Sequence, residues 1–211
     1  MKKILYLIIP LFFISCEIQY DGGTKLVVDT KLVDRNGNPI ANKNIKIFVR
    51  EGTVDLISEG TTKMDGTLLL IFPQPRTASI NIEIETNNDN FQYKNFFNLK
   101  PTNFTDYKFD LNPLVLYKND EITQFLVTLN QTSVNKEIRN LRIEGLLVTE
   151  NEYFNDDNDI IYPLQTSFMI ATNQNLVLKY EIKDFSNSGM ITSYSTNFSV
   201  SNDAINYTLN Y

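Results

Sequence analysis

The chain has 211 residues, 42% hydrophobic and 21% charged, a balance that supports a packed core and excludes a disordered or fibrous protein. Its formal net charge of −6 argues against nucleic-acid binding, which requires a basic surface. There is no histidine, and the single cysteine, Cys16, cannot form an internal disulfide. Because histidine most often serves as general base or metal ligand, the composition favours a non-enzymatic protein and indicates no cofactor.

Residues 1–15 have the composition of a secretory signal peptide. Two lysines give a basic start, an apolar run extends to Ile14, and the small residue Ser15 precedes Cys16. The run is shorter than the roughly 20 residues that a membrane-spanning helix needs. We predict cleavage between Ser15 and Cys16, which removes both lysines and leaves 17 basic against 25 acidic residues, a net charge of −8.

The step Phe13-Ile14-Ser15-Cys16 resembles the lipobox of bacterial lipoproteins, in which the signal is cut before a cysteine that carries the lipid. The resemblance implies that Cys16 is lipidated and anchors the protein to the bacterial outer membrane, facing either the periplasm or the outside. The alternative is an ordinary secreted protein with a free cysteine at the cleavage site. We interpret residues 16–24 as the lipidated cysteine followed by a polar tether.

Residues 25–118 alternate apolar and polar side chains with a period of two, which indicates half-buried strands. Residues that tolerate positive φ, at 34–39 and 64–67, predict tight turns between these strands. Short strands separated by such turns favour a β-sandwich. The predicted inward rows are Leu26-Val28-Thr30-Leu32, Ile45-Ile47-Val49, Ile80-Ile82-Ile84 and Tyr107-Phe109-Leu111.

The segments 31–47 and 60–68 resemble the carboxypeptidase-regulatory-like, transthyretin-like family of β-sandwich domains. The first segment carries the turn Asp34-Arg35-Asn36-Gly37-Asn38-Pro39 between two strands, and the second carries the hairpin Thr62-Lys63-Met64-Asp65-Gly66. Thr30 stands where members usually have glycine. The resemblance covers about residues 25–117 and implies a structural or binding module without catalytic residues. It makes Asp34, Gly37, Pro39, Asp65 and Gly66 turn formers.

Residues 119–211 resume the alternation after a polar break at 118–121, and they predict a second Ig-like sandwich without a family resemblance. Asp184–Gly189 predicts a hairpin turn. The overall prediction is all-β, with two consecutive sandwiches after a cleaved leader. The inward rows are Phe125-Val127-Leu129, Leu141-Ile143-Leu147, Leu176-Leu178-Tyr180-Ile182, Thr192-Tyr194-Thr196-Phe198-Val200 and Ile205-Tyr207-Leu209-Tyr211.

One acidic cluster could bind a metal. Asp156, Asp157 and Asp159 offer oxygen ligands of the kind that Ca²⁺ takes. The spacing is not that of an EF-hand, because Ile160 and Thr166 stand at its sixth and twelfth positions. We favour a solvated acidic loop over a calcium site.

The favoured function is a non-catalytic binding or structural role at the cell envelope, with another envelope protein as partner. Sheet edges offer unpaired backbone groups to a partner strand and need no catalytic residue. No nucleophile or phosphate-binding motif is present in the sequence. The alternative is a glycan-binding accessory lipoprotein of a nutrient uptake system. The aromatic residues that could stack on sugar rings are Tyr20, Phe91, Tyr93, Tyr153 and Phe154.

Overall fold

The computed structural model describes residues 18–85, 90–154 and 164–211, which are all β with short 3₁₀ helices. Those helices lie at Pro101–Asn103, Asn119–Glu121 and Phe185–Asn187. The strands are β1 (Tyr20–Val33), β2 (Asn44–Glu51), β3 (Thr53–Thr61), β4 (Thr67–Pro75), β5 (Ser79–Glu85), β6 (Lys94–Leu99), β7 (Lys108–Val115), β8 (Ile122–Asn130), β9 (Lys136–Glu144), β10 (Asn151–Tyr153), β11 (Ser167–Ala171), β12 (Asn175–Asp184), β13 (Met190–Ser199) and β14 (Ile205–Asn210).

The first sandwich packs the sheet β4-β1-β7 against the sheet β10-β6-β5-β2-β3. Because apolar and polar residues alternate, the apolar side chains of each strand lie on one face and point into the space between the sheets. Val28, Ile47 and Ile82 are each 0% exposed, which confirms the inward rows of β1, β2 and β5. Burying a side chain of this size stabilises the fold by about 1.5–3 kcal/mol relative to leaving it in water.

Both turns predicted in this half are present. Gly37 and Gly66 adopt positive φ angles of 82° and 78°, which few other residues tolerate. The Asp34 carboxylate accepts hydrogen bonds from the backbone N–H groups of Asn36 at 2.9 Å and Asn38 at 2.8 Å. A hydrogen bond from the Asn38 side chain is the largest cause of the lowered pKa of Asp34, and the two backbone hydrogen bonds lower this pKa further.

Residues 16–24 were predicted to form a polar tether, but their described part, residues 18–24, belongs to the first sandwich. Ile18 is buried in the core, and β1 begins at Tyr20, which pairs with the end of β4. The residues between Asp21 and Lys25 bulge out of this ladder, and the Asp21 carboxylate accepts a hydrogen bond from the Thr24 hydroxyl at 2.7 Å. The glycine pair that indicates a linker belongs to a β-bulge.

The second sandwich packs the sheet β11-β8-β14 against the sheet β13-β12-β9. Phe125, Ile170 and Leu178 lie at its centre, each 0% exposed. The hairpin predicted at Asp184–Gly189 joins β12 to β13, and Ser188 and Gly189 adopt positive φ there. The two cores occupy residues 18–116 and 125–209. β10 is the exception, because it follows residue 119 in the chain but joins the first sandwich.

Three residues assigned to inward rows are exposed. Tyr107 is 60% exposed with a φ of 65°, because β7 begins one residue later, at Lys108. Leu147 is 54% exposed, because β9 ends at Glu144 and the chain turns away from the sheet. Tyr194 is 43% exposed, because it lies on an edge strand.

Thr30 provides a stability test in the first core. It is 1% exposed, and its hydroxyl has no hydrogen-bond partner among the described residues. Because an unpaired buried polar group costs about 1–3 kcal/mol, we expect Thr30→Val to raise the free energy of unfolding by about 1 kcal/mol. Urea denaturation measures the change. The matched variant Thr128→Val, at an exposed threonine of β8, should stay within about 0.5 kcal/mol of the parent. No gain at Thr30 would show that the hydroxyl is satisfied.

Candidate functional site

The chain crosses between the two sandwiches a second time after β9. There, β10 adds a short parallel strand to β6, at the edge of the first sandwich. Asn95 donates its backbone N–H to the Glu150 carbonyl at 2.8 Å, and Phe154 donates to the Phe97 carbonyl at 2.9 Å. Residues of the second half therefore complete a sheet of the first half.

Lys94 fixes the crossing segment, residues 145–154, by its side chain. Only 7% of this side chain is exposed, so its ammonium group needs partners. Lys94 Nζ donates to Thr149 Oγ1 at 2.6 Å and lies 3.0 Å from Glu152 Oε2. It also lies 4.8 Å from the ring centre of Phe96, a cation–π distance. A charge that is costly to bury is thus compensated by residues that arrive with β10.

Arg35 of the first sandwich contacts the second sandwich. It projects from the turn at 34–39, and its Nη2 donates to the Thr172 carbonyl at 2.7 Å and to the Asn173 carbonyl at 3.3 Å. Its guanidinium carbon lies 5.9 Å from the ring centre of Tyr117. Arg35 was not singled out in the sequence, because nothing local distinguishes it from any solvated turn residue.

A small apolar cluster, separate from the two cores, fills the junction, which is the region where the two sandwiches meet. Tyr117, Val148 and Ala171 are buried against one another, and Ile122 packs against them. Burial raises the pKa of Tyr117. The backbone N–H of Thr172 donates to the Glu121 carbonyl at 2.8 Å. The junction combines apolar packing with hydrogen bonds, which favours a fixed orientation over free hinging.

A groove of about 530 Å³ runs between β10 and β11, beside this junction. Tyr153 is 60% exposed there and stacks on Phe97, with ring centres 5.2 Å apart and planes 26° apart. The groove combines an aromatic face with amide, hydroxyl and carboxylate groups. Its lining is Leu146, Val148, Thr149, Glu150, Asn151, Tyr153, Gln165, Ser167, Phe168 and Met169.

Tyr93 is 46% exposed and contacts Glu150, a residue of the groove lining. Its hydroxyl donates to Glu150 Oε2 at 3.0 Å, and this hydrogen bond is the largest cause of the raised pKa of Tyr93. Gln92 donates from Nε2 to the other oxygen of the same carboxylate at 2.8 Å. Glu150 thereby holds the tyrosine in place beside the crossing segment.

The other three predicted aromatic residues are structural. Tyr20 donates to Asp55 at 3.2 Å, and burial, followed by the charge of Asp55, raises its pKa to about 12. Phe91 is half-buried beside two lysine ammonium groups, at 5.2 and 6.0 Å from its ring centre. Phe154 packs edge-on against Phe109 in the first core. Only Tyr93 and Tyr153 remain as exposed candidates.

Several predicted sites lie outside the described residues. Ser15, Cys16 and the acidic residues Asp156, Asp157 and Asp159 belong to this part of the chain. Within 18–85, 90–154 and 164–211, no group of three or more acidic or cysteine side chains is arranged to hold a metal ion. The same ranges contain no helix of the length and apolarity that a membrane crossing requires.

No protein-family model and no curated protein sequence matches this chain. Among solved structures, it is similar to the shaft pilin SpaA of Lactobacillus rhamnosus GG, at 9% identity and a TM-score of 0.32 over 89% of this chain and 98% of the pilin. The Bacillus anthracis TIE protein matches at 12% identity and a TM-score of 0.33 over 88% of this chain and 34% of that protein.

A 9R-lipoxygenase from Cyanothece PCC8801 matches at 15% identity and a TM-score of 0.31 over 43% of this chain. The match covers 16% of the lipoxygenase and, as with the TIE protein, less than two thirds of its length. Similarities at these scores do not identify what this chain binds or catalyses. The resemblance of residues 25–117 to the carboxypeptidase-regulatory-like family stays a prediction, whereas the all-β sandwich fold is established.

Proposed function

We propose that this protein is a lipoprotein of the bacterial outer membrane that acts through protein–protein contact and has no catalytic role. The leader supports anchoring at Cys16, and the lack of histidine and of catalytic motifs supports a binding role. The observation that carries the proposal is that the strand following the anchor enters the first sandwich at one end, whereas the second sandwich docks at the opposite end.

β1 connects these two ends. At its start, Arg76 donates its backbone N–H to the Gln19 carbonyl at 2.9 Å; at its finish, Val33 precedes the turn from which Arg35 reaches the second sandwich. Buried Ile18 follows Cys16 by two residues, about 7 Å of extended chain. In the anchored protein the first sandwich lies against the membrane, and the second is held away from it for a partner to reach.

The anchoring is tested by Cys16→Ser in the full-length chain expressed in a bacterial host. We expect the parent to fractionate with membranes and to incorporate labelled fatty acid, and the variant to lose both properties, because the thioether needs the sulfur atom. Ser15→Ala keeps a small residue before the cut and should behave like the parent. Membrane association of Cys16→Ser equal to that of the parent, or an unmodified Cys16 by mass spectrometry, would contradict the proposal.

The groove favours one alternative partner, a glycan. Tyr153 offers a sugar-sized aromatic face that the Phe97 stack holds in place, and Glu150, Asn151 and Gln165 offer hydrogen-bonding groups around it. In this second candidate function, the protein is an accessory subunit of nutrient uptake that presents glycans.

A glycan array with the full chain tests the alternative. If it holds, Tyr153→Ala should abolish binding, because it removes the stacking face. Tyr107→Ala is the matched control, since Tyr107 is equally exposed at 60% and belongs to the first sandwich alone. Absence of binding to any glycan, or equal loss in both variants, rejects the glycan function and leaves the protein-contact role.

A further inference from the structure

β13 is an edge strand without the features that normally protect sheet edges. Its ten residues, Met190–Ser199, pair with β12 in unbroken register, and its other side has no strand partner in the described parts of the chain. It contains no charged residue, no proline and no bulge. Charged residues, prolines or bulges usually protect the edges of sheets, because a long regular edge with free backbone groups pairs with another chain.

The other described edge strands carry such protection or are short. β3 and β9 contain charges and irregular register, and β4 and β7 contain prolines and irregular register. β10, β11 and β14 have only three, five and six residues. The residues concerned are Asp55 and Glu59 in β3, Pro73 and Pro75 in β4, Pro113 in β7, and Lys136, Glu137, Arg139, Arg142 and Glu144 in β9.

The surroundings of β13 are also nearly free of charge. Residues 185–211 contain one charged residue, Asp203, although a fifth of the chain is charged. β14 flanks β13 across the sandwich, with the rings of Phe198 and Tyr207 5.2 Å apart. Ile191 is 50% exposed on the strand itself. Because the protein is acidic overall, this side is where a second acidic copy can approach with least repulsion.

We propose that β13 pairs antiparallel with β13 of a second copy, about a two-fold axis at Tyr194. This inference rests on the protein-contact role proposed above and names its partner. Such an interface is self-complementary and joins two three-stranded sheets into one of six strands. The axis places Tyr194 opposite Tyr194, Thr192 opposite Thr196, Met190 opposite Phe198 and Ser193 opposite Ser195.

These pairings favour a second copy over an unrelated strand. Aromatic residues face each other, hydroxyls face hydroxyls, and apolar Met190 meets Phe198, combinations that stabilise antiparallel strands. Of the pairs that this register forms, Ile191 opposite Asn197 is the mismatched one. No charge is buried, so no charge is left without a partner.

Cysteine cross-linking in cells that express the full-length chain tests the proposal. Residues at the axis have Cβ atoms about 4.5–5.5 Å apart, so mild oxidation of Tyr194→Cys should give a disulfide-linked dimer. The parent shows whether Cys16 cross-links by itself. Tyr107→Cys controls for random collision, because Tyr107 is exposed but lies at the first sandwich. Dimer from Tyr194→Cys no greater than from Tyr107→Cys would overturn the proposal.

A second variant places a charge on the edge. Ser195→Lys, added to Tyr194→Cys, brings two lysines within about 7–8 Å across the axis and should reduce the dimer about threefold. Asn202→Lys adds the same charge beyond the end of β13 and should leave the yield unchanged. An equal yield with Ser195→Lys would overturn the proposal. Fractionating the same cells tests anchoring separately: anchored chain without cross-linking rejects the pairing alone, and cross-linked chain without anchoring rejects the lipoprotein alone.

Discussion

Gly66→Ala is expected to lower the free energy of unfolding by at least about 3 kcal/mol. Gly66 has a φ of 78°, and a left-handed conformation costs a residue with a side chain about 1–2 kcal/mol. A Cβ atom at this position would overlap the backbone oxygen of Leu32, which cannot rotate away. That oxygen already accepts a hydrogen bond from the backbone N–H of Ile40, so a shift of the oxygen breaks this hydrogen bond between β1 and the segment that follows its turn.

Gly37→Ala is the matched control for this prediction. Gly37 has nearly the same φ, 82°, but a Cβ atom there would meet no described atom within 4 Å. It should therefore lose only the conformational part, about 1–2 kcal/mol. Urea denaturation and thermal melting measure both variants, and the Gly66 variant should melt roughly 6–12 °C below the parent. Equal losses in the two variants would show that the backbone clash at Gly66 is relieved.

These two glycines illustrate what a local pattern predicts well. The strands of both sandwiches follow from alternation, because a row of side chains such as Ile45, Ile47 and Val49 can be buried on only one face of a strand. The turns follow from residues that tolerate positive φ. Both signals lie within a few neighbouring positions. The fold class was therefore predictable from the sequence.

The junction was not predictable, because its contacts join distant positions. Arg35 and Thr172 are 137 residues apart, and no neighbouring residue of either indicates the other. β10 has three residues, all exposed, so it shows no alternation to detect. The bulge at 22–24 was not predictable although its signal is local, because glycine and aspartate are as typical of a linker as of a bulge.

The candidate surfaces were predictable only in part. The aromatic character of Tyr153 and Tyr93 is evident from the sequence, but their exposure depends on where the crossing segment lies. The lack of charge in β13 is also evident from the sequence. Its importance depends on the strand order, which makes it an edge. Composition thus indicates which groups are available, and topology decides which of them a partner can reach.

Arg35→Met is expected to lower the free energy of unfolding by about 2 kcal/mol and to loosen the junction. A hydrogen bond from a charged donor contributes about 1.5–3 kcal/mol, and the substitution removes the Arg35 donor from the carbonyl of buried Thr172. Methionine keeps an apolar side chain of similar length against Tyr117, so the loss reports mainly on the hydrogen bonds.

Hydrogen exchange localises the effect of this substitution. Arg35→Met should speed exchange at the backbone N–H of Thr172, which donates to the Glu121 carbonyl, and leave the centre of β2 protected. Arg50→Met replaces an exposed arginine at the other end of the first sandwich and should change stability by less than about 0.5 kcal/mol. If both variants exchange alike at Thr172, Arg35 does not brace the junction, and the second sandwich is held by the apolar cluster and β10 alone.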